Sequence, residues 1–221
     1  MPTAPANSRP ASPLFALAEK GDPRGESLDV YLHLDALEDI LTAVDARSRQ
    51  EAGGLVCGEA GQDATGPFLL VRRGLPATRA RGERISLTFT PEAWEELWAA
   101  HDRECPDLAV VGWYHTHPGL GVFLSEPDQF IHRHFFTAAH QIALVYDPDE
   151  FRWGVFYWDV GAQFIAPGPA TGGRDESRPY VEGTQLRAAR GLYLYSEAAR
   201  SYPALERALR ELAPDGIVLH D

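Results

Sequence analysis

The most informative stretch of the chain, residues 110–128, reads VVGWYHTHPGLGVFLSEPD. The apolar residues 108–111 predict a buried strand, and His115 and His117 follow it at a spacing of two. Side chains at i and i+2 of a strand share a face, about 7 Å apart at the backbone, so the two imidazoles can converge on one ion. Asp128 adds a carboxylate after a loop of glycines and a proline. Two neutral nitrogens and one carboxylate oxygen leave one position of a tetrahedral zinc ion open, as in catalytic sites.

Each part of this pattern also has an ordinary structural explanation. A lone His-x-His pair is more often a chance arrangement than a ligand pair. Ser125 and Asp128 fit the start of a helix, where a serine cap and an acid at the third position satisfy free N–H groups. The joint pattern H-x-H-x(7)-S-x-x-D, inside an apolar strand–loop–helix, is more specific. It favours a metal site in which the Ser125 hydroxyl stabilises an oxyanion, over a plain helix cap.

Amide hydrolysis at such a site also needs a group that carries a proton from water to the leaving amine. The HExxH helix of many metalloproteases is absent from the sequence. The candidate is Glu51, in a helix-to-strand turn followed by Gly53 and Gly54. Its ordinary alternative is a solvated residue at a helix end, where a carboxylate opposes the helix dipole. Glu59 is the rival candidate.

Composition excludes several classes of function. The 221 residues are 44% hydrophobic and 24% charged, which is typical of a globular protein with a core. The formal net charge of −12 argues against a nucleic-acid partner. No apolar run approaches the length of a membrane span, and the N-terminus lacks the pattern of a secretory signal. Cys57 and Cys105 lie in an ordinary predicted strand and helix end, and they indicate a reduced, cytoplasmic protein.

The order of predicted elements divides the chain into four parts. Residues 1–26 are a flexible arm by composition, and residues 28–166 carry alternating strands and helices that form the main domain. Helices are predicted near residues 36–50, from Pro91 onward, and near residues 127–138, the last with Phe130, Ile131 and Phe135 facing inward. Residues 167–180 are a linker rich in proline and glycine, and residues 181–221 are an extension with helices near 183–200 and 203–212.

The motif residues resemble the JAMM (JAB, MPN+) metalloprotease family. That family has a glutamate followed downstream by H-[ST]-H-P-x(6)-S-x-x-D, and every motif position is matched here. The resemblance covers about residues 28–166 and is strongest to eukaryotic-type deubiquitinases, although the composition suggests a bacterial member. It implies an α+β fold, a curved mixed sheet flanked by helices with a cytidine-deaminase-like architecture. It also implies one Zn²⁺ held by His115, His117 and Asp128, with Glu51 as general acid/base and Ser125 as oxyanion donor.

The resemblance further implies an isopeptidase or peptidase that cleaves after the C-terminal Gly-Gly of a ubiquitin-like protein. Expected partners are that protein, its conjugates, and E1- or E2-like proteins of the same operon. A basic segment, residues 72–84, is a candidate loop for clamping the Gly-Gly tail as an added strand, with Arg79, Arg81 and Arg84 as substrate-binding residues. Two alternatives stay open: a JAMM hydrolase that processes a sulfur-carrier protein, and a catalytically idle MPN assembly platform.

Overall fold

Strands dominate the architecture. The computed structural model describes residues 8–10, 15–16, 28–46, 50–78, 81–83, 86–159, 185–197 and 200–212. In chain order the elements are β1 (Phe15–Ala16), β2 (Asp29–His33), α1 (Leu34–Ala46), β3 (Gly53–Asp63), β4 (Gly66–Pro76), β5 (Arg81–Glu83), β6 (Ser86–Thr88), α2 (Pro91–Glu104), β7 (Ala109–Thr116), α3 (Glu126–Phe135), β8 (Ile142–Asp147), β9 (Arg152–Asp159), β10 (Gln185–Ala188), β11 (Gly191–Tyr195) and α4 (Pro203–Leu212).

Nine of these strands pair into one mixed sheet, in the order β1-β11-β2-β4-β3-β7-β8-β9-β10, while β5 and β6 pair with each other. The central pairs β3–β4 and β3–β7 are antiparallel, whereas β2–β4 and β7–β8 are parallel. The predicted α+β fold, a curved mixed sheet with flanking helices, is confirmed.

Helices cover both faces of the sheet because its central strands are apolar on both sides. In β3, Val56 packs with α1 and α4, whereas its neighbours Leu55 and Cys57 pack with α2. Successive strand residues point to opposite faces, so each face contributes one half of the core. Trp113 and His115 lie two residues apart in β7 and therefore share a face. Trp113 belongs to the core half that includes α2, which places the motif histidines on that side of the sheet.

The pairing of β3 with β7 sets the position of the motif. Gly53 lies opposite His115 and Gly54 opposite Tyr114. A side chain at Gly54 would place its Cβ 2.0 Å from the Leu75 carbonyl oxygen and 2.8 Å from the Tyr114 ring. Glycine is therefore required at this position for the three strands to approach each other.

The predicted helix near residues 183–200 is wrong, because the structure has two strands there. β10 extends the edge beyond β9, and β11 pairs in parallel with β2. In β11, Leu192 and Leu194 are buried in the core while Tyr193 stacks on Tyr31 of β2. This alternation with period two is that of a strand with two covered faces. The second predicted helix is confirmed as α4, whereas the predicted linker 167–180 lies outside the described residues.

The predicted flexible arm also differs from the structure at the few residues described there. β1 pairs antiparallel with β11 and forms an edge of the sheet. Arg9 forms an ion pair with Asp63 (2.7 Å) and another with the buried Asp29. Its guanidinium also lies over the Phe68 ring, 4.9 Å from the centroid. These contacts attach part of the arm to the sheet.

Two helix starts agree with the sequence. α2 begins with Thr90 as its cap and Pro91 in its first turn, and α3 begins with a capping box formed by Ser125 and Asp128. In contrast to the prediction, Phe130 and Phe135 are more than half exposed. Among the described residues, no helix is long and apolar enough to cross a membrane.

Glu38 of α1 holds the C-terminal helix, and its removal should loosen that helix. The two Glu38 oxygens accept the backbone N–H groups of Ala204 (2.8 Å) and Leu205 (3.0 Å), which a helix start otherwise leaves unpaired. We expect Glu38→Ala to cost about 1 kcal/mol locally, as the loss of a cap and of a favourable charge does. Hydrogen exchange at the α4 amides should be faster in this variant, and unchanged in the exposed-site control Glu211→Ala. Equal protection in Glu38→Ala and wild type would contradict the docking role.

Candidate metal centre

The end of β7 brings two histidines to one point. His115 is the penultimate residue of the strand and His117 follows it directly, so both side chains leave the same face. Their Nε2 atoms are 3.1 Å apart, and both residues are buried. His117 Nδ1 donates a hydrogen bond to the Gly121 carbonyl (3.3 Å), which leaves the Nε2 lone pair free to bind an ion.

The first turn of α3 supplies the third group. Asp128 Oδ2 lies 3.4 Å from His115 Nε2 and 3.5 Å from His117 Nε2. The capping box fixes this carboxylate: the Ser125 backbone N–H donates to Asp128 Oδ2 (2.8 Å), and the Ser125 hydroxyl donates to the same oxygen. Ser125 and Asp128 therefore both cap the helix and hold the carboxylate close to the two histidines.

The three atoms fit a tetrahedral ion. Ligands about 2.0–2.2 Å from a tetrahedral zinc ion stand about 3.3–3.5 Å apart. The observed separations of 3.1, 3.4 and 3.5 Å are close to that triangle. Two nitrogen donors and a carboxylate form a three-ligand set that leaves a fourth position open. The predicted set His115, His117 and Asp128 is thus assembled as a group that could hold a metal.

Electrostatics favour the metal-binding forms of His115 and Asp128, whereas a metal would have to displace a proton from His117. Burial lowers the pKa of His115, so its imidazole is neutral. Burial alone would raise the pKa of Asp128, but hydrogen bonds with the two histidines outweigh it and hold the pKa well below its usual range. Burial would likewise lower the pKa of His117, but the Asp128 carboxylate raises it. The carboxylate is ionised and shared by both imidazoles.

Glu51 lies beside the same group. Ala52 and Thr116 form two hydrogen bonds, Thr116 N–H to Ala52 O (2.9 Å) and Ala52 N–H to Thr116 Oγ1 (2.9 Å). Continuing this antiparallel register places Glu51 opposite His117. Glu51 is only 2% exposed, so it is not a solvated residue at a helix end. Burial raises its pKa to about 7, with a further increase from the Asp128 charge and a decrease from His117.

The other predicted residues are not brought to this group. Glu59 lies further along β3, where its carboxylate pairs with Arg72 (3.1 Å). Arg81 is the first residue of β5, in the small sheet with β6. Arg79 and Arg84 lie outside the described residues. Substrate binding by the three arginines therefore stays a prediction.

Sequence reasoning gave no role to an aromatic stack that supports His115. The Trp113 ring lies parallel to the His115 ring, with centroids 4.5 Å apart, and its indole N–H donates to His132 Nδ1 (3.3 Å). His132 is itself stacked on Trp158 and buried, and burial lowers its pKa to about 3. In the sequence, the spacing of Trp113 and His115 by two residues in one strand was the signal that their rings could be in contact. His132 on α3 could not be linked to it without the fold.

Asp147 is a second residue that sequence reasoning missed. This buried carboxylate at the end of β8 accepts the N–H groups of Gly119 (2.9 Å) and Gly121 (2.7 Å). Gly119 and Gly121 have φ values of +69° and +84°, a backbone conformation that favours glycine. Asp147 thereby fixes the loop whose Gly121 carbonyl orients His117. The only sequence signal was an aspartate directly after a strand.

This fold and this site define a JAB/MPN-type domain with a group that could hold a metal. The family model described as JAB1/Mov34/MPN/PAD-1 ubiquitin protease matches residues 26–140, and the chain belongs to that family. The chain is 34% identical over 86 residues to an NAD(+) hydrolase TcpA from Theionarchaea archaeon (strain DG-70-1). The match covers 38% of this chain and 24% of that relative, so it spans about a quarter of the relative's length.

A solved structure is also similar. It is the solution structure of protein DSY2949 from Desulfitobacterium hafniense, with 21% sequence identity and a TM-score of 0.45. The match covers 58% of this chain and 83% of the other.

Removal of the Asp147 carboxylate should weaken metal binding without unfolding the sheet. In Asp147→Asn, an amide group would face one of the two loop N–H donors, so the loop would lose an acceptor and His117 its fixed orientation. Loss of such a supporting contact typically costs about 10–100-fold in metal affinity. Competition with a chromophoric chelator measures this, with Glu150→Gln, an exposed change in the following turn, as the matched control. Unchanged affinity in Asp147→Asn would show that the loop does not orient His117.

Glu51 should make the stability of the metal-free protein depend on pH. Its carboxyl loses a proton near 4.5 when unfolded but near 7 when folded. Between these values the folded state holds the extra proton, so stability falls as pH rises. We expect Glu51→Gln to be more stable than wild type at about pH 8, and the difference to shrink towards about pH 5. Urea unfolding in the presence of a chelator measures it, with the exposed Glu126→Gln as control. A difference independent of pH would contradict the burial of an ionisable Glu51.

Proposed function

We propose that the protein is a zinc-dependent isopeptidase or peptidase that cleaves after the C-terminal Gly-Gly of a ubiquitin-like protein. The observation that carries the proposal is the arrangement of three converging ligand atoms with a buried carboxylate beside them. Membership in a family described as ubiquitin proteases supports the same substrate class. When bound, zinc would supply a Lewis acid and a water acidic enough to react near neutral pH.

Glu51 is the proposed general acid/base. Its position opposite His117, its burial and its pKa of about 7 suit a group that first accepts and then returns a proton. A carboxyl with an ordinary pKa would remain ionised and would be a poorer proton donor to the leaving amine. His115 and Asp128 would hold the metal, whereas Glu51 would transfer the proton, so different residues perform the two tasks.

Ser125 is the proposed oxyanion donor. Its hydroxyl donates to Asp128 Oδ2 in this structure, and it also caps α3. For the proposed role the hydroxyl must instead donate to the developing oxyanion, and the backbone N–H of Ser125 would keep Asp128 in place (2.8 Å). The Ser125 oxygen can still accept the Asp128 backbone N–H (3.3 Å), so the capping box remains and the two functions of the residue do not exclude each other.

A ubiquitin-like tail is the proposed substrate, as a free precursor or as a conjugate. Phe123 packs against His117, with ring centroids 4.7 Å apart, yet it is 44% exposed, as is Leu120. These side chains give the rim of the site an apolar surface beside the ligands. The β5–β6 pair, with Arg81, is the proposed element against which the extended tail adds as a strand. E1- and E2-like proteins remain proposed partners.

Cleavage of a Gly-Gly-linked fusion of a ubiquitin-like protein tests the proposal. Wild type with a measured zinc content should release the fused partner, and Glu51→Gln should lower the rate by about 10²–10⁴-fold, the typical contribution of general acid–base catalysis. Zinc content should be the same in both, because Glu51 is not a ligand. Glu59→Gln, a change in the same strand away from the ligands, is the matched control and should retain full activity.

The outcomes separate the alternatives. Activity retained in Glu51→Gln would remove Glu51 from the mechanism. Full zinc occupancy with no cleavage of any ubiquitin-like fusion would contradict the isopeptidase and favour an assembly platform. Release confined to sulfur-carrier fusions would replace the proposed substrate by a sulfur-carrier protein.

A further inference from the structure

Three other potential ligands meet on the same side of the sheet, between β3 and α2. Cys57 lies in the middle of β3, His101 in the last turn of α2, and Cys105 at the C-cap of that helix. His101 and Cys105 are four residues apart and so lie on one helix face. One ligand atom from each of the three residues falls within 4.8 Å of the others.

The strand is irregular at Cys57. The register with β4 shifts between Cys57 and Gly58, and the register with β7 shifts between Val56 and Cys57. Such bulges change the direction of a side chain and recur next to functional sites. The Cys57 side chain is fully buried in the core half that includes α2, and it faces Cys105 there.

The imidazole is held in a form that can bind metal. His101 Nε2 lies 2.8 Å from the Leu108 carbonyl oxygen. A carbonyl only accepts hydrogen bonds, so Nε2 carries a proton; in the neutral imidazole the lone pair is then on Nδ1, which lies 3.5 Å from the exposed Asp102 carboxylate. Metal-binding histidines commonly donate their other nitrogen in this way. Leu108 is fixed in turn, because its N–H donates to the Cys105 carbonyl (3.0 Å).

The two sulfurs behave as a pair that shares a proton. The hydrogen bond between them raises the pKa of Cys57 far above its usual range and lowers that of Cys105 to about 7. Positive charge on Arg73 contributes to the second effect. One thiolate is therefore available near neutral pH.

The charged surroundings do not exclude a cation. The Arg73 guanidinium pairs with Asp39 (2.8 Å) and lies 3.7 Å from Glu104, so its charge is balanced by two carboxylates. Glu104, which directly precedes Cys105, is exposed, and His101 is half-buried, so the group lies near the surface of the protein.

We propose that Cys57, His101 and Cys105 form a second metal site, separate from His115, His117 and Asp128, that takes zinc. Two thiolates and one neutral imidazole are a soft donor set that zinc accepts, with water in the fourth position. Zinc binding requires both sulfurs as thiolates, so each S–H proton still present leaves to solvent and no electron is transferred. Among the residues that the structure describes, no carboxylate is buried beside these three as Glu51 is beside the first group. An ion held here would link β3 to the end of α2.

Cobalt(II) distinguishes this site from the first one. A thiolate bound to cobalt gives an intense sulfur-to-metal charge-transfer absorption in the near ultraviolet, whereas nitrogen and carboxylate ligands give only weak bands. The reduced, full-length wild type should bind two cobalt ions per chain and show the charge-transfer band. Cys105→Ser should lose one equivalent together with the band. Asp128→Asn should also lose one equivalent but keep the band.

Two further variants test whether a loss of metal binding comes from unfolding of the core rather than from loss of a ligand. His101 is partly accessible, and His101→Gln should weaken the second cobalt equivalent and shift the band without altering the circular dichroism. The exposed His134→Gln is its matched control on α3 and should match wild type. Binding of one cobalt without the band, in protein whose two thiols are free, would overturn the proposal. So would a Cys57–Cys105 disulfide whose reduction restores no metal binding. Isopeptidase activity is measured separately, so either proposal can fail alone.

Discussion

The antiparallel pairing of β3 with β7 is the constraint on which the rest of the site depends. It places Gly53 opposite His115 and, two residues further along, Glu51 opposite His117. A shift of one residue would turn His115 and His117 to the other face, away from α3. The two hydrogen bonds between Ala52 and Thr116 fix the register directly beside His115 and His117. Gly54 permits the close approach that this pairing needs.

The helix start at α3 performs two tasks with one carboxylate. Asp128 closes the capping box that begins the helix, and the same Oδ2 atom faces both imidazoles. A carboxylate at a helix N-terminus is favoured by the helix dipole, so the fold itself stabilises its ionised form. The ligands are therefore positioned by interactions that the protein makes for its own stability. Preorganisation of this kind avoids the cost of ordering ligands when an ion arrives.

The sequence predicted the parts of the site that lie close together in the chain. His115, His117 and Asp128 follow from strand and helix periodicity, which are local. Glu51 was harder to predict, since sixty-four residues (115 − 51) separate it from His115. The glycine-rich turn and the family resemblance were the two signals that indicated it. Ser125 could be read as a cap or as a donor, and the structure shows the cap.

Residues that act through tertiary contacts were missed. Asp147 and His132 contact the ligand system only because β8 pairs with β7 and because α3 packs over Trp113. The strands β10 and β11 were predicted as one helix because short apolar runs fit either period. Pairing of β10 with β9 and of β11 with β2 makes these segments strands, and both partners are distant in the sequence.

Strand β3 connects the proposed catalytic centre with the second proposed metal site. Glu51 directly precedes its first residues and Cys57 lies in its middle, so both potential metal groups depend on this one strand. Their chemistry differs for a physical reason. A hydrolytic centre needs an open ligand position and a buried group with a pKa near neutrality, and among the described residues Glu51 is such a carboxyl beside the first group. The thiol pair of the second group supplies softer donors, which favour zinc over a harder cation. An ion between β3 and α2 would stiffen the strand that positions Glu51.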